Sequence, residues 1–144
     1  MPDYQHVDEP IFSKIFVPTI HTTRLRYLLD VHLKRRKPVL FVGGAGTGKT
    51  QVIKDYLATT KPDQVAHKTI NFSSFTDAGA LQKNIEAMLD KKSGKTYGSA
   101  MNKTLIAFID DLNMPYVDKY GTQSPIQLLR QILDYGSIFN REQL

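Results

Sequence analysis

Eight consecutive residues, Gly43-Gly44-Ala45-Gly46-Thr47-Gly48-Lys49-Thr50, constrain this chain more than any other segment. They fit the pattern G-x-x-x-x-G-K-[ST]. They stand between an apolar, β-rich run at 38–42 and a stretch over 50–57 that carries Val52, Ile53, Tyr56 and Leu57 at helical spacing. Strand, glycine loop and helix are the context this pattern requires. At average residue frequencies a chain of 144 residues meets the pattern by chance roughly one time in two hundred, before that context is demanded. Glycines let the backbone fold closely round phosphate oxygens, where successive N–H groups and the helix amino end offer partial positive charge. Lys49 then reaches the β and γ phosphates as a mobile point charge, and the Thr50 hydroxyl is placed to ligate Mg²⁺. A plain glycine turn is the bland alternative, and the flanking elements leave it little room.

Composition is that of one ordinary globular domain, with 41% hydrophobic and 23% charged residues. No run approaches the ~20 apolar residues of a membrane span. The polar start, Met1 to His6, has no apolar signal core, so the expectation is a cytosolic chain without membrane contact. Zero cysteines exclude disulfides and thiolate metal sites, and His6, His21, His32 and His67 have no metal-binding spacing. A net charge of +5 raises the question of nucleic acid, and Lys34-Arg35-Arg36-Lys37 is the densest basic run. That run follows a helical pattern, where cations favour the helix carboxyl end, so a solvated loop is the better reading and nucleic acid is not expected.

Leu25, Leu28, Leu29 and Leu33 predict a first helix over 24–33, capped by Thr22 or Thr23. The run at 38–42 predicts a strand, and HKTINF at 67–72 a second. A helix follows, capped by Thr76 or Asp77, with Leu81, Ile85, Met88 and Leu89 as its buried stripe. The polar, glycine-bearing stretch at 91–102 reads as an exposed turn or hairpin. A third, buried strand is expected at 104–109, then a helix opened by Pro125, with Ile126, Leu128, Leu129, Ile132 and Leu133 on its apolar face and Gly136 at its end. Near-continuous apolar strands need cover on both faces. The expected fold class is therefore α/β, a P-loop core of βαβαβα order with a parallel sheet, helices on both faces and right-handed crossovers.

Phosphoryl transfer also needs carboxylates at the end of a buried strand, to hold Mg²⁺ and orient a water. The run Leu105-Ile106-Ala107-Phe108-Ile109-Asp110-Asp111 supplies them. Asp110 is the candidate metal ligand, through water, and Asp111 the candidate base or water-positioning group. The structural alternative is that the pair merely ends a strand and caps a turn. Asn71, at the end of the second strand, could hydrogen-bond Asp111, although an ordinary strand-end asparagine is as good a reading. Asn113 receives no chemical role.

Val17-Pro18-Thr19, the glycine loop, FIDDLNMP at 108–115, DKYGTQ at 118–123 and LLRQ at 128–131 resemble dynein heavy chains in order and spacing, from about Ile15 to Leu144. The likeness is to the AAA+ motor ring of axonemal forms, most of all its third module. It implies that 1–144 is the amino-terminal portion of one AAA+ large ATPase domain, with 1–37 a loop and helix and 38–144 the P-loop core. The chain would stop after the helix following the third strand, ahead of the sensor strands and helical lid. It implies ATP or ADP with Mg²⁺ as ligands, Val17, Pro18 and Thr19 bordering the adenine, and Lys49 and Asp111 as catalytic residues. It implies a regulatory role. Implied partners are the other AAA+ modules of the same heavy chain, microtubules through the intact motor, and dynein intermediate and light chains. The implied location is cytoplasm, cytoskeleton and the axoneme of a cilium or flagellum.

Arginine fingers come from a neighbouring module in such rings, so the chain alone is expected to hydrolyse ATP poorly while the intact parent is an ATPase. Many AAA+ proteins have Glu where this chain has Asp111. That departure supports a competing reading, a regulatory or structural module that holds nucleotide without appreciable turnover.

Overall fold

Thr19 opens the first helix, because its hydroxyl accepts the Thr22 N–H (3.2 Å) while the Thr22 hydroxyl accepts the Thr19 N–H (2.8 Å). This reciprocal box satisfies two otherwise orphan donors. It starts α1 at Ile20–Lys34, a turn earlier than its leucine spacing suggests; Thr22 serves as the box partner inside the helix rather than as the cap. The computed structural model describes residues 15–99, 101 and 103–139. The polar start at 1–6 with His6, Asn102 at the end of the polar stretch, and Leu144 lie outside the described residues.

The chain divides into two compact units at Thr60 and Lys61, the described residues 15–60 falling in the first and the described residues from 61 to 139 in the second. In the first, α1 packs on α2 (Lys49–Ala58). Leu29, Val52 and Leu57 are its buried residues. The strand expected at 38–42 does not form. These residues carry no ladder, and Leu40 and Val42 are 66% and 85% exposed. A strand exists through its hydrogen-bonded neighbour, so β propensity without a partner leaves only an apolar connecting segment.

The second unit holds β1 (Val65–Asn71), α3 (Ala78–Glu86), β2 (Leu89–Ser93), β3 (Thr96–Ser99), β4 (Thr104–Asp110) and α4 (Ser124–Tyr135). β1 and β4 pair in parallel, from Val65 beside Thr104 to Asn71 beside Asp110. β2 and β3 make the antiparallel hairpin expected of the polar stretch, turning at Gly94. Asp77 caps α3 through its carboxylate, which accepts the Ala80 N–H at 2.6 Å. Gly136, at φ +63°, ends α4 in the left-handed conformation that glycine adopts without penalty.

Ile70, Phe72, Ala78, Leu81 and Leu128 form the core of this unit, with Ile85, Met88, Ile109, Ile126, Leu129 and Ile132 packed against it. Full burial of a leucine such as Leu81 is worth roughly 1.5–3 kcal/mol. Two departures from the expected stripes follow from element ends and helix phase. Leu89 lies beyond α3 and begins β2, and Leu133 is 62% exposed because Leu128, Leu129 and Ile132 already fill the inward arc of α4. The architecture is α/β with a parallel strand pair and helices packed against it. No described helix is long and apolar enough to cross a membrane.

Candidate functional site

The glycine loop closes on its own lysine. Gly46 and Gly48 sit at φ +72° and +78°, a region that side chains with a Cβ rarely enter. Gly48 is also the N-cap of α2, so no capping side chain closes that helix amino end. The Lys49 ammonium donates to the carbonyls of Gly43 (2.9 Å) and Gly44 (2.6 Å) and lies 3.2 Å from the Thr47 hydroxyl, which donates to Gly44 O at 3.0 Å. A Cβ on Gly43 would come into ordinary van der Waals contact with Thr47 Oγ1 at 3.4 Å and the Lys49 stem at 3.8 Å. The loop thus gathers its cation and its backbone dipoles in one small space. Thr50 stands in the first turn of α2, half-buried.

Val17 and Pro18 lead directly into α1; Val17 is 63% exposed and Pro18 half-buried, while the Thr19 hydroxyl is engaged in the capping box. Farther along, α1 and α2 are tied by polar contacts. Arg26 pairs with Asp55 and donates to Thr59 Oγ1 at 2.8 Å. The Tyr56 hydroxyl donates to Asp30 Oδ1 at 3.1 Å, and Lys34 Nζ donates to Asp30 Oδ2 at 2.6 Å. The Lys34 hydrogen bond holds the Asp30 carboxyl below its usual value, and burial, then Asp30 itself, push the Tyr56 hydroxyl up.

In the second unit, the acidic pair stands where β4 ends. Asp110 is the last residue of the strand, next to Asn71 in the ladder, and its carbonyl accepts the Phe72 N–H at 3.0 Å. Its Oδ1 accepts the Asp111 N–H at 3.2 Å. Asp111 is exposed and left-handed, at φ +56°, where Asp and Asn are the side chains best tolerated after glycine. Its carbonyl accepts the Met114 N–H at 3.0 Å, which turns the chain out of the sheet. Asn71 therefore neighbours Asp110 in the ladder. Among the described residues no three His, Asp or Glu side chains gather into a metal cluster of their own.

Two further residues shape the loop after the acidic pair. Gln123 Nε2 donates to Pro115 O at 2.6 Å and Asn113 O at 3.3 Å. Asp118 accepts the N–H groups of Tyr120 (2.8 Å) and Thr122 (2.9 Å) and the Thr122 hydroxyl (2.5 Å). The sequence does signal this turn, through Asp followed three residues later by Gly121 at φ +77°. The Thr122 and Tyr120 hydrogen bonds hold the Asp118 carboxyl below its ordinary 3.8. A depressed carboxyl stabilises the loop fully above the unfolded value and loses that contribution as pH falls through the folded one. Protection of the Tyr120 and Thr122 amides, measured against the intrinsic exchange rate at each pH, should therefore fall as the pH is lowered below 3.8. In Asp118→Asn the protection of the two amides should carry no such acid step.

Residues 4–144 match the family model described as the P-loop containing dynein motor region. The chain belongs to this dynein motor family. It is 41% identical over 141 residues to human dynein axonemal heavy chain 10, covering 98% of this chain and 3% of that one. It is 47% identical over 133 residues to the flagellar outer-arm dynein alpha chain of Chlamydomonas reinhardtii, covering 92% and 3%. Human dynein axonemal heavy chain 9 matches at 40% over all 144 residues, again 3% of its own length. The chain thus spans a small part of each of these relatives.

Membership makes this chain a nucleotide-binding P-loop segment of AAA+ type from a dynein motor region. The dynein glycine loop and the segment 17–19 share the first compact unit, and the acidic pair lies in the second. Sequence reasoning did not find the contacts between α1 and α2. They join residues about thirty positions apart, which no local pattern reports.

Proposed function

We propose that the chain binds ATP or ADP with Mg²⁺ as one module of an axonemal dynein heavy chain, and that in the parent protein this module turns ATP over and regulates the motor. The glycine loop drawn round the Lys49 ammonium carries the reading. Gly43, Gly44, Ala45, Gly46, Thr47 and Gly48 would present their amides to the phosphates, Lys49 would exchange its loop carbonyls for β and γ oxygens, and Val17, Pro18 and Thr19 would border the base. Thr50 in the first unit and Asp110 in the second each carry a hard oxygen donor of the kind Mg²⁺ takes, and they would be its protein ligands, the rest of its shell being phosphate oxygens and waters. Bound there, Mg²⁺ would neutralise charge developing on the phosphoryl oxygens. Asp111 would orient the attacking water and draw on its proton.

By the same reading the partners are the other AAA+ modules of the heavy chain, microtubules through the whole motor, and intermediate and light chains through the whole complex. The location is cytoskeletal, in the axoneme of a cilium or flagellum. Titration of the purified chain with a fluorescent ADP analogue tests the binding step. Saturable binding that ATP competes away, and that weakens when EDTA removes Mg²⁺, is the expected outcome. Absence of saturable binding in the presence of Mg²⁺ would overturn the reading.

A further inference from the structure

We propose that Arg26 and Asp30 on α1, with Asp55, Tyr56 and Thr59 on α2, act as a positioning clamp that holds the segment 17–19 in register with the phosphate loop, so that one nucleotide is gripped at base and phosphate together. The proposal rests on the nucleotide-binding reading of the site and concerns how its two ends are coordinated. α1 begins immediately after Val17-Pro18-Thr19, and α2 immediately after Gly48. On the nucleotide-binding reading, each helix therefore carries one of the two ligand-contacting segments at its amino end. Helices behave as stiff rods, so the spacing of the two segments depends on how α1 lies against α2.

The apolar contact alone does not fix that register, because burial is non-directional and tolerates sliding and rotation. The polar contacts are directional. Arg26 uses its planar fork on two acceptors one turn apart, Asp55 and Thr59. Asp30, one turn after Arg26, accepts from Tyr56 at 3.1 Å and is itself held by Lys34. Two attachment points, each with fixed geometry and partly shielded from solvent, resist both sliding and rotation.

The test compares ATP with inorganic tripolyphosphate, which engages the phosphate loop and has no base, by calorimetry on the full chain. Wild type should bind ATP more tightly than tripolyphosphate. Arg26→Ala and Asp55→Ala should each weaken ATP about tenfold, in the range of ordinary site-to-site coupling, and leave tripolyphosphate nearly unchanged. The exchange Arg26→Asp with Asp55→Arg should restore the preference for ATP. Tyr56→Phe, which keeps shape and removes only the hydroxyl, should show a smaller loss of the same kind and guards against a variant that merely fails to fold. If the two ligands weaken in parallel, or only the melting temperature moves, the clamp is structural and the proposal fails. If wild type binds both ligands equally, segment 17–19 does not reach a base, and the proposal fails for that reason. Binding of neither ligand by wild type would instead overturn the nucleotide reading on which it rests.

Discussion

Lys49→Ala should lower nucleotide affinity by roughly a hundredfold or more. A charge-assisted hydrogen bond contributes about 1.5–3 kcal/mol, and loss of the two that Lys49 would make to the β and γ phosphates exceeds the 2.7 kcal/mol or so that corresponds to a hundredfold. The substitution also frees the Gly43 and Gly44 carbonyls of their ammonium, which loosens the loop. It does not touch the buried residues of the same unit, Leu29, Val52 and Leu57. Affinity measured by calorimetry should collapse while the thermal midpoint without nucleotide stays close to that of the wild type. Retention of wild-type affinity would remove the glycine loop from the site.

Asp111→Asn should separate binding from turnover. Asparagine occupies the left-handed region as readily as aspartate, so the change at φ +56° leaves the backbone in place and subtracts only the negative charge. A positioned general base contributes about 10²–10⁴ in rate. Single-turnover hydrolysis at this site in the intact parent, with its other nucleotide sites inactivated, should fall by about that factor, and ATP affinity should change little. Unchanged turnover would strip Asp111 of its role and favour a module that binds nucleotide without hydrolysing it.

The parts of this molecule that were legible in the sequence are those encoded locally. The glycine pattern marked the loop and its lysine, Thr76 or Asp77 is the expected start of α3 and Asp77 fills that place, and Gly136 announced the end of α4. The polar run after α3 formed the hairpin it suggested. What escaped was set by partners distant in the chain. The apolar run at 38–42 looks like a strand, yet it has no ladder, since pairing is a property of two segments and not of one. The Arg26–Asp55 pair left no trace in either helix pattern, because each residue reads as an ordinary polar position. The left-handed turn at Asp111 was equally hidden, for the residue type permits that conformation without demanding it.

The two sheets differ in how far along the chain their strands must search for one another, and this sets an order of assembly. The β2–β3 hairpin joins strands separated only by Gly94 and Lys95, so its contacts are local and close in about 1–10 μs. The β1–β4 ladder must instead bring Asn71 to Asp110 across everything between them, and closure entropy rises with that separation. A preformed α3 and hairpin shorten the flexible length that remains to be closed. The parallel ladder, which sets Asp110 at the end of its strand, is thus expected to close after the local elements. On that expectation the placement of Asp110 and Asp111 depends on local elements that form before the ladder does.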